Sequence, residues 1–422
     1  MRADMMILGS QEALRTPRPL VEFLFELWPV ALLSFVVVLV MTPVCRWFAT
    51  KYRIVDRPDD FLKPHKRPIP YLGGVAIFTG WAAGIVIGMV LGWFPVRWYF
   101  LGGILAAGLG IMIVGLLDDL RNMTPRIKLA CNLAVGLLLI GVGVGRNSFH
   151  ILVRASVAAW DTDPSLQWLE LLFSVPLTLF IIVGACNATN LIDGMDGMCS
   201  GVLGIISLGF FVLALHMASY GTGNPLDYER LVLTLAMLGA AMGFLPYNMN
   251  PASIFMGDAG SMLLGLNAAV LILLFAEPGL IKWMLGAVMV FGLPVADMVL
   301  TLLRRWRNAR PLMLGDRSHF YDQLTDRGFS VRQVVAISYA LSIGFAVIGC
   351  GTAIFLRTRY MIPVIAGVFL VTAIAISKFG MVSLMPPEQR GSGTGPARDH
   401  HGHNAADRAE TPAAERDSAS AP

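Results

Sequence analysis

Asn187, Asn190, Asp193 and Asp196 stand at three-residue steps in the stretch NATNLIDGMDGM (187–198), with a glycine directly after each aspartate. Asp118 and Asp119 close an apolar run in GLLDDL, and Asp258 lies in FMGDAGS (255–261). Side-by-side carboxylates repel, and one of them takes a raised pKa unless a cation neutralises the pair. Taken alone, the Asp118–Asp119 doublet is better read as a solvated helix end. Read with the other acids, it belongs to a set of four or five oxygen ligands without clustered histidine or cysteine. Such a set suits Mg²⁺, with Mn²⁺ as the alternative, because Mg²⁺ keeps several waters and bridges substrate phosphates. A later segment, GDRSHF (315–320), supplies Arg317 and His319 beside Asp316. His319 is placed to contact a phosphate or to shuttle a proton. Asp297, one to two turns inside the preceding apolar run, is an intramembrane acid and therefore a functional candidate. Acids for a metal ion and basic groups for phosphate, at the mouth of a helical bundle, point to phosphoryl transfer between a water-soluble and a lipid-embedded substrate. That chemistry needs positioning and charge neutralisation more than covalent help.

The elements that must position these groups are membrane helices. Of 422 residues, 56% are hydrophobic and only 14% charged, against about a quarter charged in soluble domains. Apolar runs of roughly twenty residues, the length that crosses a bilayer, recur along the chain. Their polar boundaries predict an all-α polytopic protein with about eleven spans, near 28–50, 72–92, 98–117, 127–145, 171–189, 200–219, 229–247, 259–276, 281–303, 333–355 and 361–384. Residues 1–27 read as an amphipathic lead-in without a signal peptide's compact core, and 28–385 as the transmembrane domain. The tail from 386 lacks aromatics and large aliphatics, which predicts disorder; its HHGH is assigned no role. Cys45, Cys131, Cys186, Cys199 and Cys350 lie in or beside apolar runs without paired spacing, which excludes a disulfide framework or zinc site. No nucleic-acid partner is expected, and a homodimer is left open.

Charge divides the loops into two sets. One set is weakly charged. The other carries Lys51, Arg53, Arg57, Lys63, Lys66 and Arg67 early in the chain, and Arg304, Arg305, Arg307, Arg310, Arg317, Arg327 and Arg332 late. Short basic loops stay in the cytoplasm, so this face is expected to be cytoplasmic, with the N-terminus outside and the C-terminus inside. Arg304, Arg305 and Arg307 read as interfacial anchors of the ninth span. All the acid- and amide-rich stretches fall in this second set of loops: 63–74, 116–129, 187–198, 247–261 and 304–328. Loop decoration would be shared by both faces; a cytoplasmic active site would not.

Helical geometry adds one constraint. Each three-residue step lags by about 60° in a regular helix, so the ends of the series from Asn187 to Asp196 would point oppositely. Gly194 and Gly197 let the helix end inside the motif. Asn187 and Asn190 would then close the fifth span, while Asp193 and Asp196 turn into the site.

Across roughly 45–330 the chain resembles the polyprenyl-phosphate N-acetylhexosamine-1-phosphate transferases (glycosyltransferase family 4). PIPYLGG, GLLDDL, NATNLIDGMDGM, NPASIFMGDAGS and LPVADMV occur in that family's order and spacing. The resemblance implies a UDP-HexNAc donor, undecaprenyl phosphate as acceptor, UMP as product, Mg²⁺ as cofactor and the inner (plasma) membrane as location. Carried over by position, Asp258 is the metal ligand with Asn190 assisting, and Asp118 and Asp119 are the acid pair near metal and acceptor. Phe255 lines the uridine pocket and Asp196 contacts the nucleobase. Asp193 holds the loop or the diphosphate, and Asn248 and Lys66 lie on the nucleotide side. Pentapeptide translocases carry three histidines where this chain reads Ser318-His319-Phe320-Tyr321-Asp322. The GlcNAc-1-phosphate branch often has Ser-His-x-His-His. Here the first histidine remains and the later two positions are Tyr321 and Asp322, which favours that amino-sugar branch over the translocases and leaves the sugar open.

The mechanism expected from this likeness is direct attack of the acceptor phosphate on the β-phosphorus of the donor. A phosphate monoester with a second pKa near 6 is already largely dianionic at neutral pH. Asp118 and Asp119 therefore keep two readings, taking a residual proton or orienting metal and acceptor, and an aspartyl-phosphate intermediate stays open. The rival class is a secondary transporter, whose coupling acids lie near the bilayer midplane in repeated, interrupted helices. Here most acids lie at helix ends on one side.

Overall fold

The computed structural model describes residues 20–56, 68–95, 97–146, 148, 167–219, 226–276, 281–307 and 319–378. They form thirteen helices: α1 (Leu20–Lys51), α2 (Gly73–Val90), α3 (Trp98–Arg121), α4 (Pro125–Val142), α5 (Gln167–Ile192), α6 (Met198–Ser219), α7 (Asp227–Asn248), α8 (Gly257–Ala276), α9 (Ile281–Val290), α10 (Gly292–Arg307), α11 (Phe320–Asp326), α12 (Val331–Phe355) and α13 (Thr358–Lys378). The one departure from an all-α chain among these residues is a two-residue antiparallel ladder. It pairs β1 (Val55–Asp56) with β2 (Ile69–Pro70).

Nine of the described helices are long and apolar enough to cross a membrane, or ten if α9 and α10 form one broken span. The expected ninth span is that broken pair, bent by 73° around Phe291. The bend corrects the anchor reading of its basic end. Arg304 and Arg305 are buried, because the bent α10 packs against α5 and α12. Arg307 remains exposed. The expected eleventh span coincides with α13, whose described apolar stretch, Thr358–Ile374, is shorter than the others. The first helix begins at Leu20, inside the expected lead-in. The C-terminal tail lies outside the described residues.

At the centre stands α8, whose described side chains from Ala259 to Ala276 are all buried. Helices α2, α3, α5 and α9 pack around it. Past its first turns the helix is apolar on every face but for Asn267, whose amide bonds back to the Leu263 carbonyl, and such a helix belongs in a buried position. In a bilayer, helices associate through close packing of small residues rather than by excluding water, and this bundle follows that rule. Gly80 and Gly84 of α2 and Gly239 and Gly243 of α7 lie against Ser34, Phe35, Val38 and neighbouring backbone of α1. Added methyl groups there would overlap α1 atoms at 2.0–2.6 Å. At one end of the bundle, Arg230 is wholly buried, pairs with Asp227 at 2.7 Å and donates to the Leu274 carbonyl at 2.9 Å. Glu229 pairs with Arg97 at 2.5 Å nearby. The polar motifs gather at the opposite end, where α7 finishes at Asn248.

Candidate active site

The first turn of α8 organises the site. The initial N–H groups of any helix lack intrahelical partners, and the helix dipole favours negative charge there. Asp119, at the end of α3, meets both demands from another helix. Its carboxylate accepts from the Asp258 N–H at 2.9 Å and the Ala259 N–H at 3.3 Å. Two glycines permit this approach. Gly257 has φ +66°, and a Cβ on it would fall 2.4 Å from an Asp119 carboxylate oxygen. On Gly115, one turn before Asp119, a Cβ would lie 2.4 Å from the Ala259 nitrogen. Asp119 is thereby a cap that locks α3 to α8.

Asp118 faces Lys128, in the first turns of α4. The Lys128 ammonium lies 2.8 Å from Asp118 and also pairs with Asp258. Asp118 further accepts the Met123 N–H at 2.7 Å, which ties down the α3–α4 turn. The other oxygen of Asp258 accepts from the Asn190 amide at 2.7 Å, and that amide also reaches Ser261 at 3.1 Å. Four elements thus converge on Asp258: α3, α4, α5 and its own α8.

The motif 187–198 behaves as its glycines dictate. α5 ends at Ile192, α6 begins at Met198, and Gly197 adopts φ +80° between them. Asn187 turns back to the Val183 carbonyl at 2.7 Å, whereas Asn190 and the aspartates lead into the site. The half-buried carboxylate of Asp193 makes no side-chain hydrogen bond or ion pair among the described residues. Burial first, then the neighbouring carboxylates of Asp258, Asp119 and Asp196, hold its pKa well above the ordinary carboxylate range. Asp196 accepts from the Asn250 side chain at 2.9 Å and the Ala252 N–H at 3.0 Å, so it orders the 249–253 turn.

Asn248 is placed otherwise than a free nucleotide ligand. At 2% exposure it accepts from the Gly197 N–H at 3.1 Å and the Ser200 hydroxyl at 3.0 Å, and donates to the Ile254 carbonyl at 3.2 Å. It joins the two loops from behind. Phe255 is half-buried at the rim, its backbone held on both sides: its N–H donates to Pro70 at 2.8 Å, and its carbonyl accepts from Gly73 at 3.0 Å. Through that pairing β2 and the PIPYLGG segment fix the approach to α8. The Tyr71 hydroxyl adds a bond to the Asp119 carbonyl at 3.2 Å.

Asp297 and His319 form a separate buried pair. Asp297, 2% exposed on α10, meets His319 Nδ1 at 2.9 Å and accepts the Phe320 N–H at 3.2 Å. Neither touches the Asp258 cluster; the pair instead supports α11, which faces the motif loop through Tyr321. Lys66 and Arg317 lie outside the described residues.

The donors gathered at Asp258 are carboxylate and amide oxygens, the chemistry that a hard divalent cation takes. Among the described residues Lys128 pairs with Asp118 and Asp258, Asp119 is held by backbone N–H groups, and Asp193 has no cationic partner. Among the described residues no group of three or more His, Cys, Asp or Glu side chains is arranged to hold a metal ion. A hard cation such as Mg²⁺ would have to take most of its ligands here from water and substrate phosphate.

Sequence reasoning missed Lys128, Ser261 and Tyr321. Lys128 had a legible signal, being a lysine inside an apolar helix, where charge is costly unless it is used. Ser261 and Tyr321 had none beyond nearness to a motif.

Comparison with known proteins follows the same stretch of chain. Residues 101–276 match the family model described as glycosyl transferase family 4. The chain is 31% identical over 317 residues to a probable undecaprenyl-phosphate N-acetylglucosaminyl 1-phosphate transferase of Bacillus subtilis, covering 75% of this chain and 82% of the relative. It is 30% identical over 381 residues to a decaprenyl-phosphate N-acetylglucosaminephosphotransferase of Mycobacterium tuberculosis, covering 87% and 90%. A phospho-N-acetylmuramoyl-pentapeptide-transferase of Chlorobium luteolum is 29% identical over 303 residues, covering 66% and 78%.

Proposed function

The chain belongs to glycosyl transferase family 4, and from that premise we propose that it transfers GlcNAc-1-phosphate from UDP-GlcNAc to undecaprenyl phosphate, releasing UMP. The observation that carries the reading is the acid cluster built on Asp258 at the mouth of an apolar helical bundle. A site at that boundary reaches a nucleotide from water and a phosphate headgroup from the bilayer. The relatives named for GlcNAc phosphate transfer support the sugar. The lack of a three-histidine run at 318–322 supports the same branch over the pentapeptide translocases.

An acceptor phosphate oxygen attacks the β-phosphorus of the donor. The bond from that phosphorus to the bridging oxygen breaks, and its electron pair leaves on UMP. The acceptor is largely dianionic near neutrality, so no strong base is required. Both oxygens of Asp119 receive backbone N–H groups, and Asp118 is held by Met123 and Lys128. These attachments favour positioning over nucleophilic attack by either carboxylate, and so favour direct displacement over an aspartyl-phosphate. Asp258, Asp193 and Asn190 would hold Mg²⁺, which when bound neutralises the diphosphate and the departing UMP. The protein resides in the plasma membrane with this site on the cytoplasmic side, a placement supported by the basic residues flanking it.

Purified protein supplied with undecaprenyl phosphate is to be tested with a panel of UDP-HexNAc donors. UMP release should require the lipid and Mg²⁺, be fastest with UDP-GlcNAc, and vanish in Asp258→Asn. UMP release without lipid, or undiminished activity in Asp258→Asn, would overturn the reading. A phospho-sugar trapped on Asp118 would overturn the direct route.

A further inference from the structure

Tyr321 belongs to no acid cluster, yet it lies in van der Waals contact with the break in the 187–198 motif. It is 5% exposed, and its hydroxyl donates to the Leu191 carbonyl at 2.9 Å. Leu191 is the penultimate residue of α5, so its carbonyl is one of the last four that a helix leaves without an intrahelical partner. The tyrosine supplies that partner from α11. Its ring runs nearly parallel to His319, with centroids 5.1 Å apart and planes 9° apart. His319 is fixed in turn by Asp297, and its backbone N–H is fixed by Asp322 at 3.1 Å. Gly194 closes the arrangement. A Cβ there would stand 2.1 Å from the Tyr321 hydroxyl, so the glycine of the motif leaves the space that the tyrosine fills.

We propose that Tyr321 is a positioning residue: anchored by Asp297 and His319, it stops α5 at Ile192 and sets the direction in which Asp193 enters the cation site. Asp193 is two residues beyond the hydrogen-bonded carbonyl and directly precedes Gly194. A tether at that place acts on it more directly than on Asn190, whose amide is already held by Asp258 and Ser261. The route Asp297–His319–Tyr321–Leu191 thus assigns the intramembrane acid and the lone histidine of this loop a task that does not require them to touch substrate. At the other side of the break, the Tyr339 hydroxyl donates to the Gly197 carbonyl at 2.7 Å, so a tyrosine clamps each end of the segment.

The proposal rests on the cation reading of the Asp258 cluster, and its test separates the two. Mn²⁺ binding is titrated by electron paramagnetic resonance on the full-length protein in detergent, without substrates. The set comprises wild type, Asp258→Asn, Tyr321→Phe, Gly194→Ala and the double variant. Tyr321→Phe removes one neutral hydrogen bond and keeps the stacked ring, so Mn²⁺ affinity should fall about three- to tenfold. Gly194→Ala displaces the tyrosine from the opposite side and should fall comparably. The double variant should lose little more than either, because both break one contact. Mn²⁺ affinity within twofold of wild type in Tyr321→Phe, alongside loss of binding in Asp258→Asn, would overturn the positioning role alone. A fall in melting temperature without a fall in affinity would do the same, since it marks a purely structural residue. Wild-type affinity in Asp258→Asn would overturn the cation reading and this proposal with it.

Discussion

Replacing Gly115 by alanine tests whether the close approach of α3 to α8 sets the site. The new Cβ would lie 2.4 Å from the Ala259 nitrogen, 2.5 Å from its Cα and 2.5 Å from the Asp258 carbonyl carbon. These are backbone atoms of a buried helix and cannot rotate away. Ordinary carbon contacts lie at about 3.5–4.0 Å, so α3 must retreat by about 1 Å. Asp119 sits one turn along the same helix face, with hydrogen bonds of 2.9 and 3.3 Å to the first turn of α8. The same retreat lengthens both beyond hydrogen-bonding range. Overpacking of this kind costs about 1–3 kcal/mol, and a 1 Å misplacement of catalytic groups costs on the order of 10²-fold in rate. Gly102 of the same helix is the control, since a Cβ there meets nothing within 4 Å. Gly102→Ala should gain about 0.5–1 kcal/mol from lost backbone freedom and keep full turnover. Melting temperature in detergent and UMP release from UDP-GlcNAc read the two effects. Wild-type stability and rate in Gly115→Ala would refute the reasoning.

Lys128→Met leaves Asp118 and Asp258 without their shared ammonium and should lower turnover by about 10²-fold, while Lys128→Arg should recover part of it; steady-state kinetics on both variants checks this. Asn248→Ala removes three buried hydrogen bonds and should cost about 2–4 kcal/mol in stability, measured by denaturation. Asp193 has a raised pKa in the folded state, so the folded protein holds that proton longer than the unfolded chain. In EDTA, stability should therefore be lost as pH rises above the usual carboxylate range through the raised value. Thermal melts should show that slope flattened by Mg²⁺ or by Asp193→Asn. Truncation after residue 385 should leave UMP release intact, because every acid of the cluster precedes that point.

Hydropathy made the helices legible, since a bilayer span has a length and composition that few other structures share. The break of the 187–198 motif was legible too, because the three-residue steps cannot all face one ligand and the glycines mark where the helix stops. The bend of the ninth span was not. Phe291–Gly292 lies in an apolar run that reads as continuous, and only packing of α10 against α5 and α12 decides its direction. The same packing buries Arg304 and Arg305, which composition alone assigned to the interface. Within the site, Asp258 and the Asp118–Asp119 pair stood out by charge in an apolar chain. Their separate tasks did not, because capping by Asp119 arises from a contact with α8 more than a hundred residues away, and the Lys128 that pairs Asp118 is shared with the equally distant Asp258. Tyr321 was hidden for a similar reason, as an aromatic near a motif carries no sign of the carbonyl it will meet.

The enclosure of α8 has a consequence for how the molecule is made. Helices α2, α3 and α5 precede α8 in the chain, while α9 follows it, and all four pack against it. When α8 first leaves the translocation machinery, the last of these neighbours has not been synthesised. The side that α9 will cover must therefore meet lipid first, and the helix suits both surroundings because it is apolar but for Asn267, whose amide bonds back to the Leu263 carbonyl. Asp258 travels at its leading edge, at the membrane boundary rather than within the hydrocarbon. Its partners Asp119, Lys128 and Asn190 all precede α8 in the chain, so the acid cluster gathers once α8 is in place, before α9 is made.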